Sequence, residues 1–263
     1  MNDLLKEIIA HKRTEVAAAK GVAGLEVLKE KAAAQGQPRD FYQALTAKQV
    51  RIIAECKKQS PSRGVMKPDY DPVMLATSYE QGGAAAISVL TDNRYFGGSL
   101  SDLTKVRAQV SVPVLRKDFI VDEYQIYEAR AAGADTFLLI AGTIPYEELF
   151  RLTVLGQSLG MEPLIESHTA EELSQACEGP GKIFGINNRN LSTFKVDLTN
   201  AANLIAAATA KRRDLIMVCE SGIKTPADIS AMKKSGYHVF LVGEALVAHK
   251  DPKSAVSALI AAI

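Results

Sequence analysis

The stretch Arg51-Ile52-Ile53-Ala54-Glu55-Cys56-Lys57 (RIIAECK, residues 51–57) is where the chain first reads as a β-strand. Seven further short apolar runs follow it: AAAISVLT (84–91), VPVLRKDF (112–119), TFLLIAG (136–142), MEPLIESH (161–168), KIFGINNR (182–189), DLIMVCESG (214–222) and HVFLVGEAL (238–246). Their starts are 21 to 33 residues apart, the span of one strand and one crossover helix. Between them, Pro72 to Tyr79, Glu123 to Ala132, Tyr146 to Leu159, Ala170 to Ala176, Asn200 to Ala210 and Pro226 to Lys234 read as amphipathic helices. Glycines recur as helix stops before the next run, as at Gly82-Gly83, Gly133, Gly160, Gly181 and Gly236.

Eight such units in an α/β chain of 263 residues predict a (β/α)8 TIM barrel. A doubly wound sheet fits less well, because no G-x-G-x-x-G follows the first strand. Residues 1–48 carry no strand signal. Helical patterns over 3–20 and 25–34, and from about Asp40, make them an N-terminal helical extension of one barrel domain (49–263).

Composition narrows the function. Lys plus Arg is 31 and Asp plus Glu is 30, so no basic surface excess points to nucleic acid. No apolar run approaches the roughly 20 residues of a membrane span, so no membrane is expected. The start, MNDLLKEIIAHKRTE, has acids within its apolar stretch and reads as neither signal nor transit peptide. Cys56, Cys177 and Cys219 are far apart and the four His are scattered. No metal site is therefore predicted, and a cytoplasmic location is the simplest expectation.

Barrel strands point alternate side chains inward, and active sites of this fold lie at the strands' C-terminal ends. In the first strand Ile53, Glu55 and Lys57 share a face, opposite Ile52, Ala54 and Cys56. The corresponding faces of later strands carry Lys117 and Phe119, Glu166 and His168, Asn187 and Arg189, and Glu220 and Gly222. Isolated buried charges are costly. A converging set needs mutual pairing or a charged ligand, and pairing also keeps lysines protonated. A held ammonium is a general acid and a nearby carboxylate a general base.

The ligand leaves its own signs. Glu220-Ser221-Gly222 closes strand seven and Gly243-Glu244 closes strand eight, where this fold often binds phosphate through backbone N–H groups. The Glu244 side chain is expected to point away from an anion, leaving only its N–H to contribute. Ser60-Pro61-Ser62-Arg63-Gly64 opens a cationic, turn-rich loop to Tyr70, either a lid or a solvated connection. Phe96, Phe119, Leu138 and Leu191 supply apolar surface near the mouth. Together these residues suggest an aromatic, anionic, phosphorylated small molecule.

Ala54-Glu55-Cys56-Lys57-Lys58-Gln59-Ser60-Pro61-Ser62-Arg63-Gly64 resembles the E-x-K-x-x-S-P-S-x-G signature of the indole-3-glycerol phosphate synthase family. SVLTDNRYFGGS (88–99), PVLRKDFI (113–120), PLIESH (163–168), GINNRNL (185–191) and CESGI (219–223) extend the resemblance over nearly the whole chain, with Arg39-Asp40-Phe41 in the extension. Cys56 and Gln59 replace commoner apolar or small residues, and Glu244 stands where a Ser is often seen.

The resemblance implies a carboxy-lyase of tryptophan biosynthesis. Such an enzyme converts 1-(2-carboxyphenylamino)-1-deoxyribulose 5-phosphate to indole-3-glycerol phosphate by ring closure, decarboxylation and dehydration, without cofactor or metal. It further implies Lys117 as general acid, Glu166 as partner for dehydration, and Lys57 as a contact to the substrate carboxylate or phosphate and a second acid. Glu55 would orient the lysines and Asn187 would bond the reacting part. Ser60 would sit near the carboxylate, and Arg189, Glu220, Ser221, Gly222, Gly243 and Glu244 would bind substrate on the phosphate side. Phe96, Phe119, Leu138 and Leu191 would line the ring pocket. A monomer or weak homodimer is expected, with association among pathway enzymes as known in some organisms. Phosphoribosylanthranilate isomerase, on the same fold, remains an alternative, although its Cys/Asp pair has no inward counterpart in this chain: Cys56 has the outward parity. A barrel that binds a phosphorylated metabolite or a protein without turnover is the other.

Overall fold

A computed structural model describes residues 3–190, 193–212 and 214–262. Three helices come first: α1 (Asp3–Val22), α2 (Leu25–Ala34) and α3 (Phe41–Leu45), the last capped by Asp40, whose carboxylate accepts from the Gln43 N–H at 2.9 Å. Strand β1 (Arg51–Cys56) follows, then a small antiparallel pair, β2 (Gln59–Ser60) and β3 (Gly64–Val65), inside the loop after it. Seven strand-helix repeats continue the chain after α4 (Pro72–Gln81): β4 (Ala86–Leu90), α5 (Leu100–Gln109), β5 (Val114–Lys117), α6 (Glu123–Ala131), β6 (Thr136–Ile140), α7 (Tyr146–Ser158), β7 (Leu164–Ser167), α8 (Ala170–Ala176), β8 (Ile183–Asn187), α9 (Thr199–Lys211), β9 (Ile216–Glu220), α10 (Pro226–Lys234), β10 (Val239–Val242), α11 (Glu244–Val247) and α12 (Pro252–Ile260).

Eight strands close a parallel barrel in the order β1-β10-β9-β8-β7-β6-β5-β4, which is the predicted (β/α)8 architecture. Closure is set by β1, which pairs Ile53 with Ala86 of β4 and Arg51 with Val239 of β10. Strand parity separates two apolar layers. Ile53, Leu115, Leu138, Leu164, Ile183, Val218 and Leu241 fill the barrel interior, whereas Ile52, Ala54, Cys56, Val89, Phe184 and Phe240 pack outward beneath the helices. Phe41 and Leu45 of α3 join the interior layer. Tyr42 beside them donates its hydroxyl to the Asp214 carbonyl (3.3 Å), just before β9. Helix α3 thus plugs the end of the barrel where strands begin.

Helices α1 and α2 pack on α6, through Val16 and Leu28 against Tyr124, whose hydroxyl donates to the Ala19 carbonyl at 3.0 Å. This seats the extension along the wall of the barrel, with the start of α1 at its mouth. Two features escaped the sequence reading. Helix α5 mixes polar and apolar residues too evenly to stand out, yet Ser99 caps it by accepting from the Asp102 N–H (3.1 Å). The β2–β3 pair is too short for periodicity to register.

Candidate active site

The C-terminal ends of the strands surround a cavity of about 430 Å³, within the range of small-molecule sites. Its floor is charged. Lys117, the last residue of β5, reaches across to Glu166 of β7, with Nζ to Oε2 at 3.1 Å. The other Glu166 oxygen accepts from Asn187 Nδ2 at 2.9 Å and lies 3.3 Å from His168 Nε2. On the opposite wall Lys57 Nζ lies 2.7 Å from Glu55 Oε1. These side chains meet because each leaves a barrel strand on the inward parity, one layer above the apolar interior.

Burial decides their charge states. Desolvation pulls the Lys117 ammonium towards neutrality, but Glu166, Glu220 and Glu55 overcome it and raise the pKa above the ordinary lysine range. Desolvation pushes Glu166 up, yet Lys117, His168 and the Asn187 hydrogen bond hold it down at about 2. Glu220, at the end of β9, has the opposite fate. Burial and the neighbouring Glu166 charge push its carboxyl well above the usual carboxylate range, despite Lys117. Only the hydrogen at Gly185 leaves room for it, since a Cβ there would overlap Glu220 Oε1.

The phosphate-side loops are also built from below. Asn188 is buried; its Nδ2 donates to the carbonyls of Glu220 (2.9 Å) and Ser221 (3.2 Å), and its Oδ1 accepts from the Ala201 N–H (2.9 Å). This holds Ser221 and Gly222 in consecutive left-handed conformations, with φ of 62° and 95°. Such a turn exposes backbone N–H groups to an anion. Gly222 is required twice over, because a Cβ there would also lie 2.6 Å from Val196 Cγ1.

Of the residues named from the sequence, Glu55, Lys57, Ser60, Phe96, Lys117, Phe119, Leu138, Glu166, Asn187, Arg189, Glu220, Ser221, Gly222, Gly243 and Glu244 all line this one cavity. Leu191 lies outside the described residues. The Phe96 and Phe119 rings stand side by side, 6.0 Å apart with a 39° tilt, and form an aromatic wall. Ser60 is buried, its hydroxyl 3.3 Å from that of Ser62. Cys56 points outward into the layer under the helices, again as predicted.

Glu244 requires a correction. Its carboxylate does not turn away from the cavity. It lies 2.6 Å from Arg189 NH2 and 3.3 Å from Arg63 Nε, so two guanidinium groups of the mouth are drawn to it. The opposite charge of Arg189, two strands away across β9, outweighs the separation the sequence suggested. The Arg63–Glu244 pair ties the loop bearing Arg63 to the residues just after strand β10. Leu4, Leu5 and Ile8 of α1 also line the cavity, as do Phe194 and Val196, and the sequence reading missed all five. The apolar period of α1 marked its buried face, but nothing local says that this face covers the barrel mouth.

Residues 5–259 match the indole-3-glycerol phosphate synthase family. The indole-3-glycerol phosphate synthase of Chromobacterium violaceum is 46% identical over 263 residues, covering 98% of both chains. That of Dechloromonas aromatica is 45% identical over 265 residues, covering 99% of this chain and all of its own. Among solved structures, a 3-hexulose-6-phosphate synthase superposes with a TM-score of 0.62 at 19% identity, over 81% of this chain and 99% of its own. An N-acetylmannosamine-6-phosphate 2-epimerase from Clostridium perfringens gives 0.61 at 15% identity, over 81% and 93%. These two likenesses concern the barrel fold.

Proposed function

The chain belongs to the indole-3-glycerol phosphate synthase family, and from that membership we propose how its residues divide the work. The reaction takes 1-(2-carboxyphenylamino)-1-deoxyribulose 5-phosphate to indole-3-glycerol phosphate, carbon dioxide and water, in tryptophan biosynthesis. The observation that carries the assignment of roles is the Lys117–Glu166 pair at the cavity floor.

The ring carbon that bears the carboxylate attacks the ribulose carbonyl. Negative charge grows on the carbonyl oxygen, and Lys117 neutralises it and gives up a proton. Carbon dioxide then leaves and restores the aromatic ring. In the last stage the new hydroxyl, protonated by Lys57 as the second acid, departs as water while Glu166 takes a proton from the ring CH2 beside the nitrogen, which keeps its N–H in the product. The two steps are linked electrostatically. Once Lys117 has lost its proton, Glu166 loses the cation that keeps its pKa low, so the acid step strengthens the later base. Asn187 holds the Glu166 carboxylate in register, at 2.9 Å.

Lys57 serves the substrate carboxylate and stands as a second acid. Its partner Glu55, at 2.7 Å, keeps it from forming a tight salt bridge with a carboxylate that must leave as neutral carbon dioxide. Phe96, Phe119 and Leu138 take the aromatic ring. Ser221, Gly222, Gly243 and the Glu244 backbone take the phosphate, with Arg189 and Glu220 beside them and Ser60 near the carboxylate. Anchoring both ends folds the substrate so that its reacting carbons meet.

We read the chain as a single barrel domain acting as a monomer or weak homodimer, since this chain alone supplies the walls of the described cavity. Three buried free cysteines are in keeping with a reducing cytoplasm, and among the described residues no helix is long and apolar enough to cross a membrane. Incubation with the carboxyphenylamino substrate should give the ultraviolet absorption of an indole. If folded enzyme produces no such absorption, this division of roles is overturned.

A further inference from the structure

Lys12 is an anomaly on α1. The buried face of this helix reads Leu5, Ile8, Ile9, Lys12 and Val16, a charged residue in an apolar stripe. It is 5% exposed, and its Nζ lies 2.8 Å from Asp92 Oδ2, 3.0 Å from Asp118 Oδ1 and 2.7 Å from Glu15 Oε2. Asp92 follows the end of β4 and Asp118 follows the end of β5, and both are buried. One ammonium therefore bridges the ends of two adjacent barrel strands.

What those carboxylates hold is the wall of the active site. Asp118 immediately follows Lys117, and its Oδ1 accepts from the Phe119 N–H at 2.8 Å. Its Oδ2 accepts from Thr91 Oγ1 (2.6 Å) and Arg116 NH2 (3.1 Å). Asp92 Oδ1 accepts from the Tyr95 N–H (2.8 Å), and the Asp92 carbonyl from the Gly98 N–H (2.9 Å), which shapes the loop bearing Phe96. A buried ion cluster is a poor way to gain stability, but it fixes geometry because each partner is costly to leave unpaired.

We propose that Lys12 is a positioning residue for ring closure, setting Lys117 and the Phe96–Phe119 wall relative to each other through Asp118 and Asp92. The inference rests on Lys117 being the acid. A merely structural Lys12 would anchor α1, so its loss would lower the melting temperature and raise KM by loosening the cover formed by Leu5 and Ile8. A positioning Lys12 acts on kcat.

The test is steady-state kinetics of Lys12→Met, Lys12→Arg and Asp118→Asn, well below their melting temperatures. Lys20→Met serves as the control, because Lys20 anchors the same helix through Asp122 at 2.7 Å without touching the cluster. Lys12→Met should lose about tenfold or more in kcat with KM changed by less than about threefold, as expected when transition-state geometry rather than binding is disturbed. Lys12→Arg should recover part of the loss, and Lys20→Met should keep the parental kcat. Should Lys12→Met fail to fold, Asp118→Asn, which keeps the shape, carries the same expectation. A kcat within about twofold of the parent in the folded variant, or an equal loss in Lys20→Met, overturns the proposal. Lys117→Met is measured in parallel. Near-parental turnover there removes the underlying reading, whereas an inactive Lys117→Met beside a normal Lys12→Met removes only the role of Lys12.

Discussion

Lys117 Nζ lies 3.1 Å from Glu166 Oε2, so the acid and the base of the proposed sequence face each other before substrate arrives. Replacing Lys117 by Met should cost about 10²- to 10⁴-fold in kcat, the range for one positioned acid. Phosphate-ligand binding should survive, because the phosphate loops lie on other strands. Near-normal turnover with the carboxyphenylamino substrate would refute the assignment.

The pair also predicts a pH response. Glu166, held at about 2, stays ionised above that value, and Lys117, raised by its carboxylate neighbours, stays protonated through the neutral range. Neither group changes charge there. At saturating substrate, kcat should vary by less than about twofold between about pH 6 and 9. A bell centred near neutrality would show that other groups control the proton transfers.

Glu220 bears on stability. Its folded carboxyl stays protonated above the pH at which an unfolded glutamate ionises. The folded state then binds more protons, so this group's contribution is present at acid pH and is lost as pH rises past the unfolded value. Glu220→Gln removes that dependence. Its melting temperature should exceed the parent's at pH 8 by roughly 2–4 °C, the response of a chain this size to about 1 kcal/mol. The gain should shrink towards pH 5. A lower melting temperature at pH 8 would mean that Glu220 is ionised in the fold.

Glu244 competes for Arg189 with any anion at the phosphate side, because their groups lie 2.6 Å apart. Glu244→Gln frees the guanidinium. The KM for the phosphorylated substrate should fall about threefold or more, roughly what a partly exposed ion pair is worth. An unchanged or higher KM would show that the carboxylate instead helps hold the loop through Arg63.

Gly185→Ala tests the packing of the floor. A Cβ at this β8 position would overlap Glu220 Oε1, and the closed barrel gives the carboxyl little room to move. The variant should lose about 1–3 kcal/mol of stability in denaturant unfolding and lose activity with it. Parental stability would mean that Glu220 can swing aside freely.

The barrel itself was legible in the chain. Eight apolar runs at crossover spacing reflect a local rule, that a strand buried on both faces must be apolar and must be followed by a helix to return in parallel. The same parity placed Glu55, Lys57, Lys117, Glu166, Asn187 and Glu220 on inward faces, and all six meet in the cavity. Periodicity says which face of an element is buried, but not what buries it. Hence Leu5 and Ile8 read only as part of a helical apolar pattern and Lys12 not at all, and only the docking of α1 over the mouth brought them to the site and its flank. Charge states were equally hidden. Glu166 and Glu220 have the same side chain at matching strand ends, yet the pKa of one is held down and that of the other pushed up, because Lys117 and Asn187 bond the first while the second is buried beside it without such a partner for its Oε1. Desolvation and neighbouring charge are properties of the assembled space, so the direction in which Glu244 points and the protonation of Glu220 could be decided only when the strands closed.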